Sequence, residues 1–358
     1  MKRVNQAELK SKFASLLLKW NKEKNDRQMP WKGEKDPYKI WLSEIILQQT
    51  RVGQGLSYYN AFIKAFPDVH KLAKAPNAKV FKLWEGLGYY TRCRNLLATA
   101  RYISKERKGD FPDSYETIKE LKGIGPYTAA AISSFAFNLP HAVVDGNVFR
   151  VLARVFGIAT PTDTTEGKKK FTALAEELLD KTQPGLYNQA IMDLGAVVCK
   201  PAVPLCSNCV FKKHCVAYNN NMIASLPVKE KKITIKQRWF YYIIIEHKNE
   251  VAIVQRTGKD IWKELYEFPL IEAKKEMSEK NIIKQLNLKE WLATTDYAIA
   301  AISHLFKQKL SHQLITGRFI TIKLKRKVKF INDFRWVTKE KLKSFAFPQF
   351  INQYLKTK

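Results

Sequence analysis

Four of the five cysteines fall in one short stretch, Cys199, Cys206, Cys209 and Cys215, spaced C-x6-C-x2-C-x5-C. Four thiolates with no histidine in the set can hold a [4Fe–4S] cluster. They can also hold zinc, although a single C-x2-C with long flanking gaps is unlike the paired C-x2-C units of zinc ribbons. Upstream, LKGIGPYTAAAI (121–132) sets Gly123 and Gly125 on either side of one apolar residue. That makes a tight turn with outward N–H groups, followed by a helix N-terminus near Pro126. Together these can grip a phosphate, a helix-hairpin-helix signature. An ordinary helix–helix turn using glycine for positive φ carries the same pattern. Asp145, in VVDGNVFRV, follows an apolar run; it can cap a helix and still do chemistry. Glu44, in KIWLSEIILQQT, shares a helical face with Ile40, Trp41, Leu47 and Gln48. A carboxylate on an apolar face is desolvated, so its pKa rises and it suits acid catalysis. The alternative is a boundary glutamate that reaches solvent or a buried arginine. A metal centre, a phosphate grip and two carboxylates in this order point to an enzyme that works on DNA.

The elements that position these residues divide in two. Residues 1 to about 222 read as helices, with apolar spacings of three and four in AELKSKFASLLLKW, YKIWLSEIILQQT, KVFKLWEGL, TRCRNLLATARYI, SYETIKELK, YTAAAISSFAF, NVFRVLARVF and KKFTALAEELL. After Cys215 comes YNNNMIASLPVKEKKITIK, polar and then lysine-rich, read as a linker. Beyond it RWFYYIIIE, EVAIVQR, HQLITGRFITIKLK and DFRWVT are β-branched and aromatic runs typical of strands. SEKNIIKQLN and FPQFINQYLK read as helices among and after them. An all-α domain is thus followed by an α+β domain.

The charge fits a polyanionic partner. Lys and Arg number 62 against 33 Asp and Glu, a formal net charge of +29. The residues before Leu226 and those from it onward share that excess almost equally. Binding to nucleic acid would then be salt-dependent. A generally lysine-rich surface is the bland alternative. The N-terminus lacks the apolar core and cleavage site of a signal peptide, and no segment approaches the ~20 apolar residues that cross a bilayer. A cytoplasmic, nucleoid-associated protein with no membrane partner is expected. In a reducing compartment clustered cysteines are metal ligands rather than disulfides, and Cys93 is a packing residue.

The ordered set PWK (30–32), SEIILQQTRV (43–52), WEGLGYYTR (84–92), GIGPYT (123–128), VVDGNV (143–148) and the four cysteines resembles the MutY adenine DNA glycosylases of the endonuclease III-like helix-hairpin-helix superfamily. The resemblance implies a helical glycosylase domain over 1–222. Within it a six-helix barrel spans about 30–140, and an iron–sulfur subdomain is formed by 1–29 and 141–222. A linker over 223–237 and a Nudix-like 8-oxoguanine recognition domain over 238–358 complete the chain. It further implies a [4Fe–4S] cluster on Cys199, Cys206, Cys209 and Cys215. The partner would be double-stranded DNA carrying adenine mispaired with 8-oxoguanine or guanine, met by a monomer. Excision of that adenine prevents G-to-T transversions. Glu44 would protonate the departing adenine, and Asp145 would stabilise or trap the oxocarbenium ion. Tyr127 and Asn147 would position Asp145 and the sugar. Arg27, Trp31, Leu47 and Gln189 match positions that line the pocket for the flipped base. Gln49 and Tyr89 match residues that enter the DNA helix, and Thr50 and Arg51 lie near the opposing base. Gly123 and Gly125 form the phosphate-gripping turn. Strand-cleaving relatives carry a Schiff-base lysine where this chain has Tyr127, so base release without a lyase step is expected; Lys122 leaves a weak side activity open. Lys32 stands where arginine is usual and weakens a bidentate contact there.

In the second domain WKELYEFPL (262–270) is similar to the family's W-x-x-x-W-E-F-P region, with Tyr266 for the usual Trp. No Nudix catalytic box is present, so nucleotide hydrolysis is not expected. ISHLFKQ (302–308) looks like the loop that senses 8-oxoguanine, with Ile302 for an aromatic, leaving Ser303 and His304 as candidate contacts. LKRKVK (324–329) faces DNA or guards a strand edge. Two alternatives stand beside this reading: a mismatch thymine DNA glycosylase of the same superfamily, and a non-catalytic iron–sulfur DNA-binding protein.

Overall fold

The computed structural model describes residues 5–231, 234–287, 296–330 and 333–358. It divides into two units, Met1–Lys74 with Asn95–Lys231 and Ala75–Arg94 with Lys232–Lys358. The helical part keeps the expected segments and adds Val52–Ala65, Val69–Lys74 and Pro184–Asp193. The first of these was hard to read because Gly53 and Gly55 interrupt its pattern, and glycine is a poor helix former.

In the first unit Gln6–Lys24 lays Leu9, Phe13, Leu17 and Trp20 against a core drawn from residues 142–226. Phe13 stacks on Phe211 with ring centroids 4.4 Å apart, which fixes the cysteine-bearing loops to that core. The helix Gly146–Phe156 buries nearly its whole length and ends at Gly157 in the left-handed conformation. Pro184–Asp193 runs straight into a π turn, Leu194–Val198, that delivers the chain to Cys199. The stretch read as a linker, 223–237, is anchored at its start. Leu226 is buried in the core, the Thr162 N–H donates to the Val228 carbonyl at 3.0 Å, and Asp163 accepts from the N–H groups of Glu230 and Lys231.

The second unit is built on a mixed eight-stranded sheet: β1 Lys236–His247, β2 Glu250–Gln255, β3 Tyr266–Glu267, β4 Leu270–Ala273, β5 Tyr297–Ile302, β6 Phe306–Lys309, β7 Gln313–Leu324 and β8 Arg335–Thr338. The path is β3-β2-β1-β7-β5, with β4 on β1, β6 on β7 and β8 on β2. Among the described residues only β1 and β7 pair in parallel, and they form the long central ladder. The unbroken apolar run Phe240–Ile245 is what a strand covered on both faces needs. Tyr241, Ile243 and Ile245 meet Ile282 and Leu286 of the helix Glu279–Asn287 on one face. On the other, Tyr242 stacks on Phe319, which stacks on Tyr354 of the helix Gln349–Leu355 at 4.1 Å. Gly317 faces Phe240 across the parallel ladder, and a Cβ there would lie 1.7 Å from the Phe240 carbonyl oxygen. Gly317→Ala is therefore expected to destabilise this sheet by about 2–3 kcal/mol, read as a lower denaturation midpoint; an unchanged midpoint would contradict the packing. Bonds among the described residues tie Ala75–Arg94 into this unit. Lys82 Nζ donates to the Phe345 carbonyl at 3.0 Å, the Phe347 N–H to Glu85 at 2.7 Å and Arg94 to the Lys263 carbonyl at 3.1 Å, while the hydroxyls of Tyr89 and Ser311 bond each other. Among the described residues no helix is long and apolar enough to cross a membrane.

Candidate active site

Glu44 lies on the helix Pro37–Leu47, which begins at an Asp36 cap and buries eight of its residues. Only 6% of Glu44 is exposed. The residue set against it comes from the hairpin. Gly123 holds φ +83°, with a Cβ position closed off by Asn95, so this turn requires glycine. Gly125 caps Pro126–Phe137 without a side-chain bond, and the space beside it is open. Its first-turn N–H groups have no partner within the helix, which suits an anion. Tyr127 follows at once and donates its hydroxyl to Glu44 Oε2 at 2.8 Å. Tyr127 was expected to position Asp145, but the bond it makes is to Glu44.

Asp145 caps Gly146–Phe156. Its Oδ1 accepts from the N–H groups of Asn147 and Val148, both at 2.8 Å, and its Oδ2 accepts from Asn147 Nδ2 at 2.7 Å. The two carboxylates are thus treated differently. Burial pushes Glu44 up to about 7; the Tyr127 hydroxyl holds the rise back, and the charge of Asp145 adds to it. Burial also raises Asp145, but three N–H bonds and the charge of Arg150 all favour its ionised form. Burial raises both carboxyls, and only Asp145 has N–H donors and a nearby arginine that favour its ionised form.

Both carboxyls open into one cavity of about 330 Å³. Arg27, Trp31, Leu47, Gln49, Thr50, Tyr127, Asn147 and Gln189 line it with them, so most of the expected site residues converge. Met29, Gln48, Val52, Gly146 and Met192 also line it. Of these, Gln48 shared the apolar face of Glu44 in the sequence; the others are small or apolar and carry no chemical signal. Gln49 sits in the left-handed region at φ +56°, uncommon for a residue with a side chain. Arg51 does not line the cavity; it precedes Val52–Ala65 as that helix's cap residue.

Ser303 and His304 lie at the β5–β6 turn of the second unit. The Ser303 hydroxyl donates to the His304 carbonyl and accepts from the Phe319 N–H, while His304 stacks on Phe306. Those bonds hold the β5–β6 turn and leave one lone pair of the Ser303 hydroxyl free to accept. A second Ser-His pair, Ser311 and His312, follows Leu310, and all three line a cavity of about 480 Å³ with Tyr89, Trp262 and Gln308. Tyr89 is 43% exposed and holds φ +47°.

The four thiols line a single cavity with Arg154 and Lys212. Among the described residues no group of three or more His, Cys, Asp or Glu side chains stands in ligating geometry. Burial pushes Cys209 up to about 12 and Cys215 up to about 11, so their thiolate forms need a cationic centre. Two buried arginines lace these loops to the helix after Asp145. Arg150 donates to the Cys199 and Gly195 carbonyls and to Asn147 Oδ1, and Arg154 to the Lys200, Pro201 and Leu226 carbonyls.

Residues 42–181 match the HhH-GPD superfamily base excision DNA repair proteins, and residues 240–357 match the NUDIX domain. An adenine DNA glycosylase of Buchnera aphidicola subsp. Baizongia pistaciae is 37% identical over 84% of this chain and 83% of its own length. The adenine DNA glycosylase of Homo sapiens is 41% identical over 57% of this chain and 39% of its own. Among solved structures, a thermostable thymine-DNA glycosylase superposes with a TM-score of 0.55 and 29% identity, using 60% of this chain and 98% of that one. Nearly the whole of that enzyme is thus matched by 60% of this chain. The identity to an adenine DNA glycosylase over most of both chains shows the family: this chain belongs to the adenine DNA glycosylases, enzymes of base excision repair.

Proposed function

We propose that the chain excises adenine mispaired with 8-oxoguanine or guanine, and that it does so without cleaving the strand. The observation that carries this reading is the buried Glu44, raised to about 7, sharing one cavity with a triply bonded Asp145. Adenine leaves poorly as an anion. A proton from Glu44 to a ring nitrogen makes it a neutral leaving group, and the bonding electrons of the N-glycosidic bond go with it. The sugar is left as an oxocarbenium ion, which Asp145 stabilises as an anion or traps as an ester before water completes the hydrolysis. The base must first leave the stack, and the cavity is of a size to receive it. Tyr127 is a phenol and forms no imine with the sugar.

For the opposing base, Ser303 and His304 of the β5–β6 turn are the candidates, with Tyr89, which lines a cavity with Ser311 and His312, as a residue that enters the helix. For the metal centre, four thiols around one cavity with no histidine favour a [4Fe–4S] cluster on Cys199, Cys206, Cys209 and Cys215. When bound, the cluster cross-links the loops through iron–thiolate bonds; the residues that carry the reaction are Glu44 and Asp145.

Single-turnover assays on duplexes carrying A opposite 8-oxoguanine, A opposite G and T opposite G test this reading. Cleavage of the adenine strand only after alkali is the expected result. Release of thymine, or breaks without alkali, would overturn it. A purified protein with a broad absorbance near 400 nm is expected for a cluster; a colourless protein would favour zinc.

A further inference from the structure

Asp193 is fully buried, at 0% exposure, and does not line the cavity of Glu44 and Asp145. Its carboxylate nevertheless gathers four side-chain donors. Oδ1 accepts from Arg27 Nη1 at 2.7 Å and Gln189 Nε2 at 2.9 Å; Oδ2 accepts from Asn25 Nδ2 at 2.9 Å and Lys32 Nζ at 3.3 Å. Two of these partners, Arg27 and Gln189, do line that cavity. Lys32 also donates to the Arg27 carbonyl at 3.0 Å, so the lysine serves this anchor rather than a bidentate contact.

An ionised carboxylate has only acceptors, so an amide facing it must present its NH₂ group. With Gln189 Nε2 held by Asp193, the amide's carbonyl oxygen is turned away from the anchor. Arg27 gives one N–H to the same oxygen of Asp193 and keeps further donors. The cavity wall therefore offers an acceptor from Gln189 beside donors from Arg27. A 6-aminopurine presents an amino donor next to the N1 acceptor, the complement of that pair. A 6-oxopurine presents the reverse, a carbonyl acceptor next to an N1–H donor. We infer that Asp193 is a positioning residue that selects a 6-aminopurine over a 6-oxopurine by fixing the amide polarity of Gln189 and the place of Arg27. This rests on assigning the cavity to the flipped base.

The test compares single-turnover release of adenine and of hypoxanthine from otherwise identical duplexes by the full-length protein. Wild type releasing adenine is the control for the reading of the cavity, and loss of that control would count against that reading rather than against Asp193. In Asp193→Asn the anchor has both a donor and an acceptor, so Gln189 can turn over. The adenine-to-hypoxanthine ratio should fall by roughly tenfold to a hundredfold, with the adenine rate taking the loss. Gln189→Met, which keeps Asp193, should lower the same ratio and carries the test if the asparagine variant does not fold. In the double variant the ratio should fall no further than in Gln189→Met alone. Equal losses on both bases, or an unchanged ratio in Gln189→Met, would overturn the assignment.

Discussion

Asp145→Asn is expected to lower adenine release by roughly 10³-fold or more while leaving duplex affinity near that of the wild type. The substitution removes the negative charge facing the developing oxocarbenium ion and little else. An asparagine oxygen still accepts from the N–H groups of Asn147 and Val148, so the helix Gly146–Phe156 keeps its cap. Its amide nitrogen would face Asn147 Nδ2, now donor against donor, which adds a local cost at the side chain that Arg150 holds. Gel-shift titration beside single-turnover kinetics separates the two effects. Unchanged turnover would refute an anionic role for Asp145, and loss of binding in step with turnover would show that the residue serves the fold rather than the reaction.

Glu44→Gln is expected to slow adenine release by about 10²- to 10⁴-fold and to flatten its pH profile. In the wild type the acid form is present below about pH 7 and is lost as pH rises through that value, so the rate should fall there. Tyr127→Phe removes the hydroxyl bond that holds the Glu44 pKa down, so the falling limb should move to higher pH. Stability gives an independent reading. The folded state keeps a proton on Glu44 between its ordinary value of 4.5 and about 7, where the unfolded chain has released it. Raising the pH through that window therefore costs the folded wild type stability, to roughly 3 kcal/mol above pH 7. The glutamine variant escapes that cost, so its Tm relative to wild type should rise from pH 4.5 to 7 and then level off. A constant Tm difference across the window would mean that Glu44 titrates normally.

What the sequence made legible followed from local rules. The helical spacing around Glu44 announced a carboxyl on an apolar face, and Asp-Gly ahead of an amphipathic run announced the Asp145 cap. The Gly-x-Gly turn and the run Phe240–Ile245 likewise carry their conformations in neighbouring residues. What escaped was long-range. Asp193 is a single acid at the end of a helix until the fold brings residues 25–32 to it. The contact between Ser311 and Tyr89 joins residues 222 positions apart. The two-residue β3 and four-residue β4 are too short to show alternation, and exist because β2 and β1 offer them edges. The bond from Tyr127 to Glu44 joins residues 83 positions apart, and no spacing rule reaches that far.

The attachment of Ala75–Arg94 to the later sheet sets a timetable for the growing polypeptide. By residue 231 every piece of the first unit has been synthesised, and its folding can proceed from the N-terminus. The segment 75–94 has by then been synthesised without its bonding partners in the later sheet. Glu85 awaits the Phe347 N–H and Lys82 the Phe345 carbonyl, which arrive on the order of tens of seconds later at ribosomal speed. A truncation at residue 231 would therefore do more than delete a C-terminal module, because it strands twenty residues of the remaining chain midway through their assembly.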